Sequence, residues 1–358
     1  DRYGFKKISH HVTLEDYDAW ERPYSEHLER RRVKWDALMK QFGLSTDQPT
    51  RFPPKSEKIK RYARKGIPPE WRGAAWFWYA GGPGLQKKHE GVYFNLLSKI
   101  KRGEELKDTD REHIERDLNR TFPDNLTFKP DPSPSSARTS SSDDGDSGPE
   151  TPIIGALRRV LQAFAVHRPS IGYCQSLNFI AGLLLLFLDS DEEKAFLLLN
   201  VITSDYLPGT HGVSLEGANI DIAVLMTSLK ELLPGVWAKL DDQPASAASN
   251  PLTLPTVSLA TTPWFLTLYL TTLPVESALR IWDVLFIEGS KTLFRAALAI
   301  FKLTEPRIKA VQDPMEVFQI VQTAPRALLD VNGLMELCFR KRGQGFGGLS
   351  QDTIERRR

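Results

Sequence analysis

Chemistry first suggests itself in the stretch Ile114-Glu-Arg-Asp-Leu-Asn-Arg-Thr-Phe-Pro123. A helical pattern runs into it, and Pro123 ends it because proline cannot continue a helix. Ile114, Asp117 and Arg120 are spaced three apart, which puts them on one helical face, one turn per step. Asp117 can then hold the Arg120 guanidinium in a fixed direction. An arginine in the last turn of a helix, steadied by an aspartate one turn earlier, is placed to project. The same spacing also suits a plain surface ion pair, worth a few tenths of a kcal/mol.

A second stretch, Ile171-Gly-Tyr-Cys-Gln-Ser-Leu-Asn-Phe179, carries Tyr173 and Gln175 after a glycine and before an apolar helix. A third, Gly66-Ile-Pro-Pro-Glu-Trp-Arg-Gly-Ala-Ala-Trp76, contains Arg72 and Trp76. Arg72-Gly-Ala-Ala-Trp76, Ile114-Glu-Arg-Asp117-Leu-Asn-Arg120 and Tyr173-Cys-Gln175 follow the order R-x-x-x-W, I-x-x-D-x-x-R, Y-x-Q. With Leu279-Arg-Ile-Trp-Asp283 and Glu288-Gly289, they resemble the TBC domain, the Rab GTPase-activating family, over residues 60 to 310.

The resemblance implies an all-α, multi-helix TBC (Rab-GAP) domain. It implies a dual-finger activator of a GTP-bound Rab-family small GTPase in vesicle trafficking. Arg120 would supply charge stabilisation in trans, since its planar fork matches two phosphate oxygens and stays charged at physiological pH. Such fingers contribute on the order of 10³ to 10⁵ in rate, about 4 to 7 kcal/mol of barrier. Gln175 would position the attacking water, one end of its amide accepting while the other donates. Asp117 and Tyr173 would support the pair, and Arg72 and Trp76 would be architecture. The chain would hold no cofactor of its own, GTP and Mg²⁺ arriving with the partner; it would complete the partner's active site without turning over a substrate by itself. The rival expectation is a TBC fold that docks a GTPase or scaffold without accelerating hydrolysis. Family members often have Gly then Met after the glutamine. Here Ser176 and Leu177 stand there, and the serine matters if that position needs a positive φ.

These residues need helices to position them. Residues 15–43 carry Tyr17, Trp20, Tyr24, Leu28, Trp35, Leu38 and Phe42 at helical steps. A proline-containing linker over 45–55 follows, then a basic helical segment over 58–65, read as a solvated face. A helix starts at Pro68-Pro69 and is expected to end at Gly81-Gly-Pro-Gly84. Further helices are expected over 91–102 and 104–122. Residues 129–152 are Ser, Asp, Pro and Gly with almost no apolar side chain, hence a disordered insertion. Ile153, Leu157, Leu161 and Phe164 then form one stripe. Phe179 to Leu188 is apolar on all sides, as in a helix buried at a domain centre. Helices over 192–202 and 214–233 follow, then a polar excursion over 241–256. Those over 262–271, 274–287, 291–303, 314–321 and 333–341 complete the set. This divides the chain into a helical extension and linker (1–55), the TBC domain (56–345) and a polar tail (346–358).

Composition sets the outer limits. The chain has 358 residues, is 41% hydrophobic and carries a net charge of +2. That allows a sizeable core, and no global field points to nucleic acid. Two cysteines exclude a disulfide framework and fit a reducing, cytoplasmic setting, with peripheral endomembrane association coming through partners. The longest apolar run is far short of the roughly 20 residues of a membrane span. With no initiator methionine and no signal peptide, the sequence is expected to be a piece of a longer protein. Other chemistry fails. The glycines at 81–84 follow no strand, Gly289-Ser-Lys-Thr292 lacks the rest of a phosphate-binding loop, and no Cys/His spacing fits zinc. His167 and Cys174 lack a third orienting group.

Overall fold

The computed structural model describes residues 1–129, 150–241, 254–341 and 343–358. The expected insertion and the second polar excursion therefore lie, over 130–149 and 242–253, outside the described residues. Among the described residues the chain is helical, with a lone β-bridge between Phe5 and Asn125 and no strand.

The N-terminal half contains α1 (Leu14–Gln41), α2 (Glu57–Arg64), α3 (Arg72–Tyr79), α4 (Gly82–Lys88), α5 (Val92–Lys101), α6 (Asp108–Leu118), α7 (Pro152–His167), α8 (Leu177–Phe187) and α9 (Glu192–Val201). Helix α7 buries its stripe of Ile153, Leu157, Leu161 and Phe164 and packs on α5, α6, α8 and α9. Helix α8 is apolar all round and lies in the core, as its sequence requires.

The C-terminal half follows with α10 (Glu216–Leu232), α11 (Pro234–Leu240), α12 (Ser258–Leu266), α13 (Val275–Glu288), α14 (Lys291–Ala310), α15 (Pro314–Thr323), α16 (Val331–Phe339) and α17 (Gln351–Arg357). Helix α13 is its axis, buried from Glu276 to Glu288 against α2, α3, α14 and α16. Helix α3 touches both α8 and α13 and so joins the halves. Residues 1–55 share the same core, which takes in Phe5, Tyr24, Leu28, Trp35 and Phe52.

Four expectations are corrected. The glycines after α3 do not merely end it. Gly81 takes a left-handed φ of +81° and Pro83 sits in the first turn of a new helix, α4. Helix α6 is shorter than 104–122 and stops at Leu118; Pro123 disfavours right-handed α backbone at Phe122, whose φ is +46°. Helix α12 starts and ends earlier than expected, and the chain then turns through positive φ at Leu268 and Tyr269. The polar tail is packed. Phe346, Leu349 and Ile354 are buried, Arg295 donates to the carbonyls of Gly347 and Leu349, and Arg358 pairs with Asp221 at 2.7 Å. Three isolated apolar residues make no legible stripe, and bonds to Arg295 on α14 and Asp221 on α10 help to tie the segment down.

Candidate functional site

Helix α6 presents Asp110, Ile114 and Asp117 at intervals of about one turn, and Ile114 and Asp117 are buried. Arg120 lies in the turn just past the helix, two residues beyond its last position. Its N–H donates to the Asp117 carbonyl (3.2 Å), and the Thr121 N–H donates to that of Leu118 (3.1 Å). The Arg120 side chain is 66% exposed, and its Nη1 is 3.9 Å from Asp117 Oδ1, the outer edge of an ion pair.

The tighter partner of Asp117 is on the other motif. The Tyr173 hydroxyl donates to Asp117 Oδ2 at 2.7 Å, and the Tyr173 N–H donates to Asp110 Oδ1 at 3.0 Å. Two carboxylates on one face of α6 thus hold Tyr173 at both ends. Gly172 makes this approach possible: its φ is +63°, and a Cβ there would sit 2.9 Å from Asp110 Oδ1. Burial, and then the Asp117 carboxylate, push the Tyr173 phenol far above its ordinary range, so it remains a donor.

Gln175 follows on the exposed side of this loop, and its amide makes no hydrogen bond among the described residues. Ser176 then adopts φ +112°, a conformation that favours glycine, and its buried Oγ is bonded to no oxygen or nitrogen. The Ser176 N–H donates to Asn178 Oδ1 at 3.2 Å. Asn178 Nδ2 in turn donates to Thr121 Oγ1 at 2.9 Å. The Thr121 hydroxyl donates to the Asp117 carbonyl. Two loops 50 residues apart in sequence are therefore stitched together by Asp110, Asp117, Thr121 and Asn178. Helix α8 reaches this close only because residue 182 is glycine: a Cβ there would meet Thr121 Cγ2 at 2.9 Å. Asp110, Thr121 and Asn178 carried no signal by type or spacing; the nearest hint was that Asp110 precedes Asp117 by two helical turns.

Arg72 and Trp76 lie elsewhere, fully buried between α3 and α13. Arg72 Nη2 donates to Glu276 at 2.6 Å, while its Nε and Trp76 Nε1 donate to Asp283 at 3.1 and 3.0 Å. Tyr3 and Tyr24 complete the cage by donating to Glu276. Burial works against the Glu276 charge, but the Arg72 guanidinium and these hydrogen bonds outweigh it and leave its pKa below the ordinary value. The Trp76 ring packs 5.0 Å from Phe187, at the end of α8. These two residues tie the halves together and do not reach the Arg120 and Gln175 loops. Burial pushes the Cys174 thiol up to about 11, which keeps it protonated near neutrality, and His167 packs on Phe196.

A family model described as the Rab-GTPase-TBC domain matches residues 69–309. The chain belongs to that family. All three motifs lie within the matched span. GTPase-activating protein GYP3 of Saccharomyces cerevisiae is 42% identical over 99% of the chain, which spans 62% of the GYP3 length. Growth hormone-regulated TBC protein 1 of Homo sapiens is 32% identical, with 100% of the chain and 93% of that protein covered. Among solved structures, the Chlamydomonas flagellar RabGAP TBC domain superposes with a TM-score of 0.72 at 28% identity, over 95% of this chain and 99% of that one. Among the described residues of this Rab-GTPase-TBC chain, no group of three or more His, Cys, Asp or Glu could hold a metal ion. None of their helices is long and apolar enough to cross a membrane.

Proposed function

We propose that the chain is a GTPase-activating protein for a GTP-bound Rab-family small GTPase, acting at the cytoplasmic face of endomembranes in vesicle traffic. Arg120 and Gln175 enter the partner's nucleotide site, where the partner holds GTP and Mg²⁺. Arg120 donates to the β,γ-bridging and γ oxygens as charge develops there, a contribution of about 10³ to 10⁵ in rate. Gln175 orients the attacking water through its amide. The observation that carries this reading is the joined pair of loops. One exposed cation and one exposed, unengaged amide stand on loops that Asp117 and Tyr173 lock to each other. Holding both groups in place before the encounter removes the ordering cost from the reaction step.

Single-turnover phosphate release from a panel of GTP-loaded Rab proteins tests it. Acceleration of one Rab should vanish in Arg120→Ala, fail to return in Arg120→Lys and fall steeply in Gln175→Ala. Binding without acceleration across the panel would refute the finger mechanism and leave a docking module.

A further inference from the structure

The loop that carries Arg120 is held at both ends. Helix α6 holds its start, through the Asp117 and Leu118 carbonyls. Its far end is held by residues 3–6, which lie outside the matched span of 69–309. Phe5 and Asn125 form an antiparallel bridge. The Lys6 N–H donates to the Asp124 carbonyl and the Leu126 N–H to that of Gly4, both at 2.9 Å. The buried Asn125 side chain adds a third tie: its Nδ2 donates to the Tyr3 carbonyl at 2.9 Å, while its Oδ1 accepts from the Thr127 N–H.

This N-terminal strap is itself shaped and anchored. Gly4 takes a φ of +85°, and Asp1 Oδ1 accepts from the N–H groups of Tyr3 and Phe5 on either side of it, at 2.9 Å each. The Tyr3 hydroxyl accepts from Arg72 Nη1 and donates to Glu276 Oε2, both at 2.6 Å, and the Tyr3 ring lies 5.2 Å from Phe187. The buried cage around Arg72 does not touch Arg120. Tyr3 nevertheless belongs to both the cage and the strap, and the strap pairs with the Arg120 loop.

The backbone of the loop shows where support is needed. Phe122, two residues past Arg120, has a left-handed φ of +46°. That conformation is costly for a bulky residue and persists only where the surroundings overdetermine it. Three rings close on Phe122: Phe5 edge-on at 5.2 Å, Phe128 at 5.4 Å and Phe179 at 5.6 Å. Phe128 belongs to the same loop and Phe179 to α8, so Phe5 closes the third side from the strap. Released from it, the turn would relax and carry Arg120 with it. The Arg120 side chain is exposed and only 3.9 Å from its one carboxylate, so the backbone sets where the guanidinium stands.

We propose that Tyr3, Phe5 and the backbone of Lys6 are positioning residues for Arg120, an outside brace that fixes the loop before the GTPase arrives. This rests on Arg120 acting as the finger. A misplacement of about 1 Å at a reacting centre costs up to about 10²-fold in rate. The brace therefore acts on the maximal rate and leaves docking largely unaltered.

The test is single-turnover phosphate release from the Rab protein that the parent chain accelerates most in the panel, read as a maximal rate and a half-saturating concentration of the chain. Lys6→Pro deletes the N–H that donates to Asp124, and the extended backbone of Phe5 suits a following proline. Lys6→Ala keeps that N–H and removes only an exposed side chain, so it should match the parent. A melting curve of each variant confirms the fold. Lys6→Pro should lower the maximal rate about tenfold or more, with the half-saturating concentration within about twofold of the parent. In the Arg120→Ala background the same change should have no further effect on the residual rate. Hydrogen exchange over residues 119–129 should quicken in Lys6→Pro. Should that variant fail to fold, Asn125→Ala, which removes the donor to the Tyr3 carbonyl, takes its place with the same expected split. A parent-like rate in Lys6→Pro while Arg120→Ala is inactive, a weakened half-saturation alone, unchanged exchange over 119–129, or an undiminished loss in the Arg120→Ala background would each overturn the brace and leave the finger mechanism standing. Arg120→Ala at the full parent rate would overturn the finger mechanism and this proposal with it.

Discussion

Replacing Ser176 with glycine should stabilise the chain by about 2 kcal/mol, two gains less one loss. The backbone at Ser176 has φ +112° and ψ −30°, a region in which an L side chain costs about 1 to 3 kcal/mol. The Ser176 Oγ is buried with at most a weak contact to the Cys174 thiol, which costs about 1 kcal/mol more. Glycine gives back about 0.5 to 1 kcal/mol through the greater freedom of its unfolded chain. Alanine separates the terms. Ser176→Ala removes the buried hydroxyl and keeps the strained Cβ, so it should yield about 1 kcal/mol; Ser176→Gly should add about 1 more. Urea unfolding of the three proteins reads this as a rising midpoint at constant slope. A glycine variant no more stable than the alanine one would refute the claim that strain is stored at this position. The Ser176 N–H bond to Asn178 involves only backbone at residue 176, so phosphate release should survive both changes.

Tyr173→Phe removes the donor to the buried Asp117 carboxylate and should cost about 1.5 to 3 kcal/mol. In a double-mutant cycle with Asp117→Asn, the coupling in stability should exceed about 0.5 kcal/mol, and strict additivity would deny the bond its role. Arg72→Met strands Glu276 and Asp283 in the core and should cost about 3 to 5 kcal/mol in urea unfolding; a loss below about 1 would show the cage to be dispensable. His211 is a pH probe. Burial lowers its pKa from 6.5 to about 4, against the Leu266 carbonyl that favours its charged form. Between those values the unfolded state binds more protons, so stability falls as pH drops through that window. The difference, 6.5 − 4, is about 2.5 pH units, or on the order of 3 kcal/mol in full. His211→Gln should flatten the fall in unfolding midpoint between about pH 6.5 and 4, and parallel curves would exclude His211 as its source.

What was legible in the sequence was local or repeated along the chain. The stripe of Ile153, Leu157, Leu161 and Phe164 marked α7, and the uniformly apolar run after residue 178 marked α8 as central; both faces are buried. Three short motifs in order pointed to the family. The same evidence could not say what Asp117 binds. Spacing brought it one turn from Arg120, yet the structure gives its closest bond to Tyr173, 56 residues away. Helical spacing constrains neighbours within about a turn and says nothing about a loop returning from across the domain. Likewise Arg72 meets Glu276 and Asp283 more than 200 residues on, and Ile354 has no stripe to announce its burial. The backbone of Ser176 is set by the loop that must pass between Asp110 and α8. Residue types and periods determine which helices form and which groups are available. Which of those groups meet is decided by packing, because burying a charge or hydroxyl is tolerable only where the fold brings it a partner.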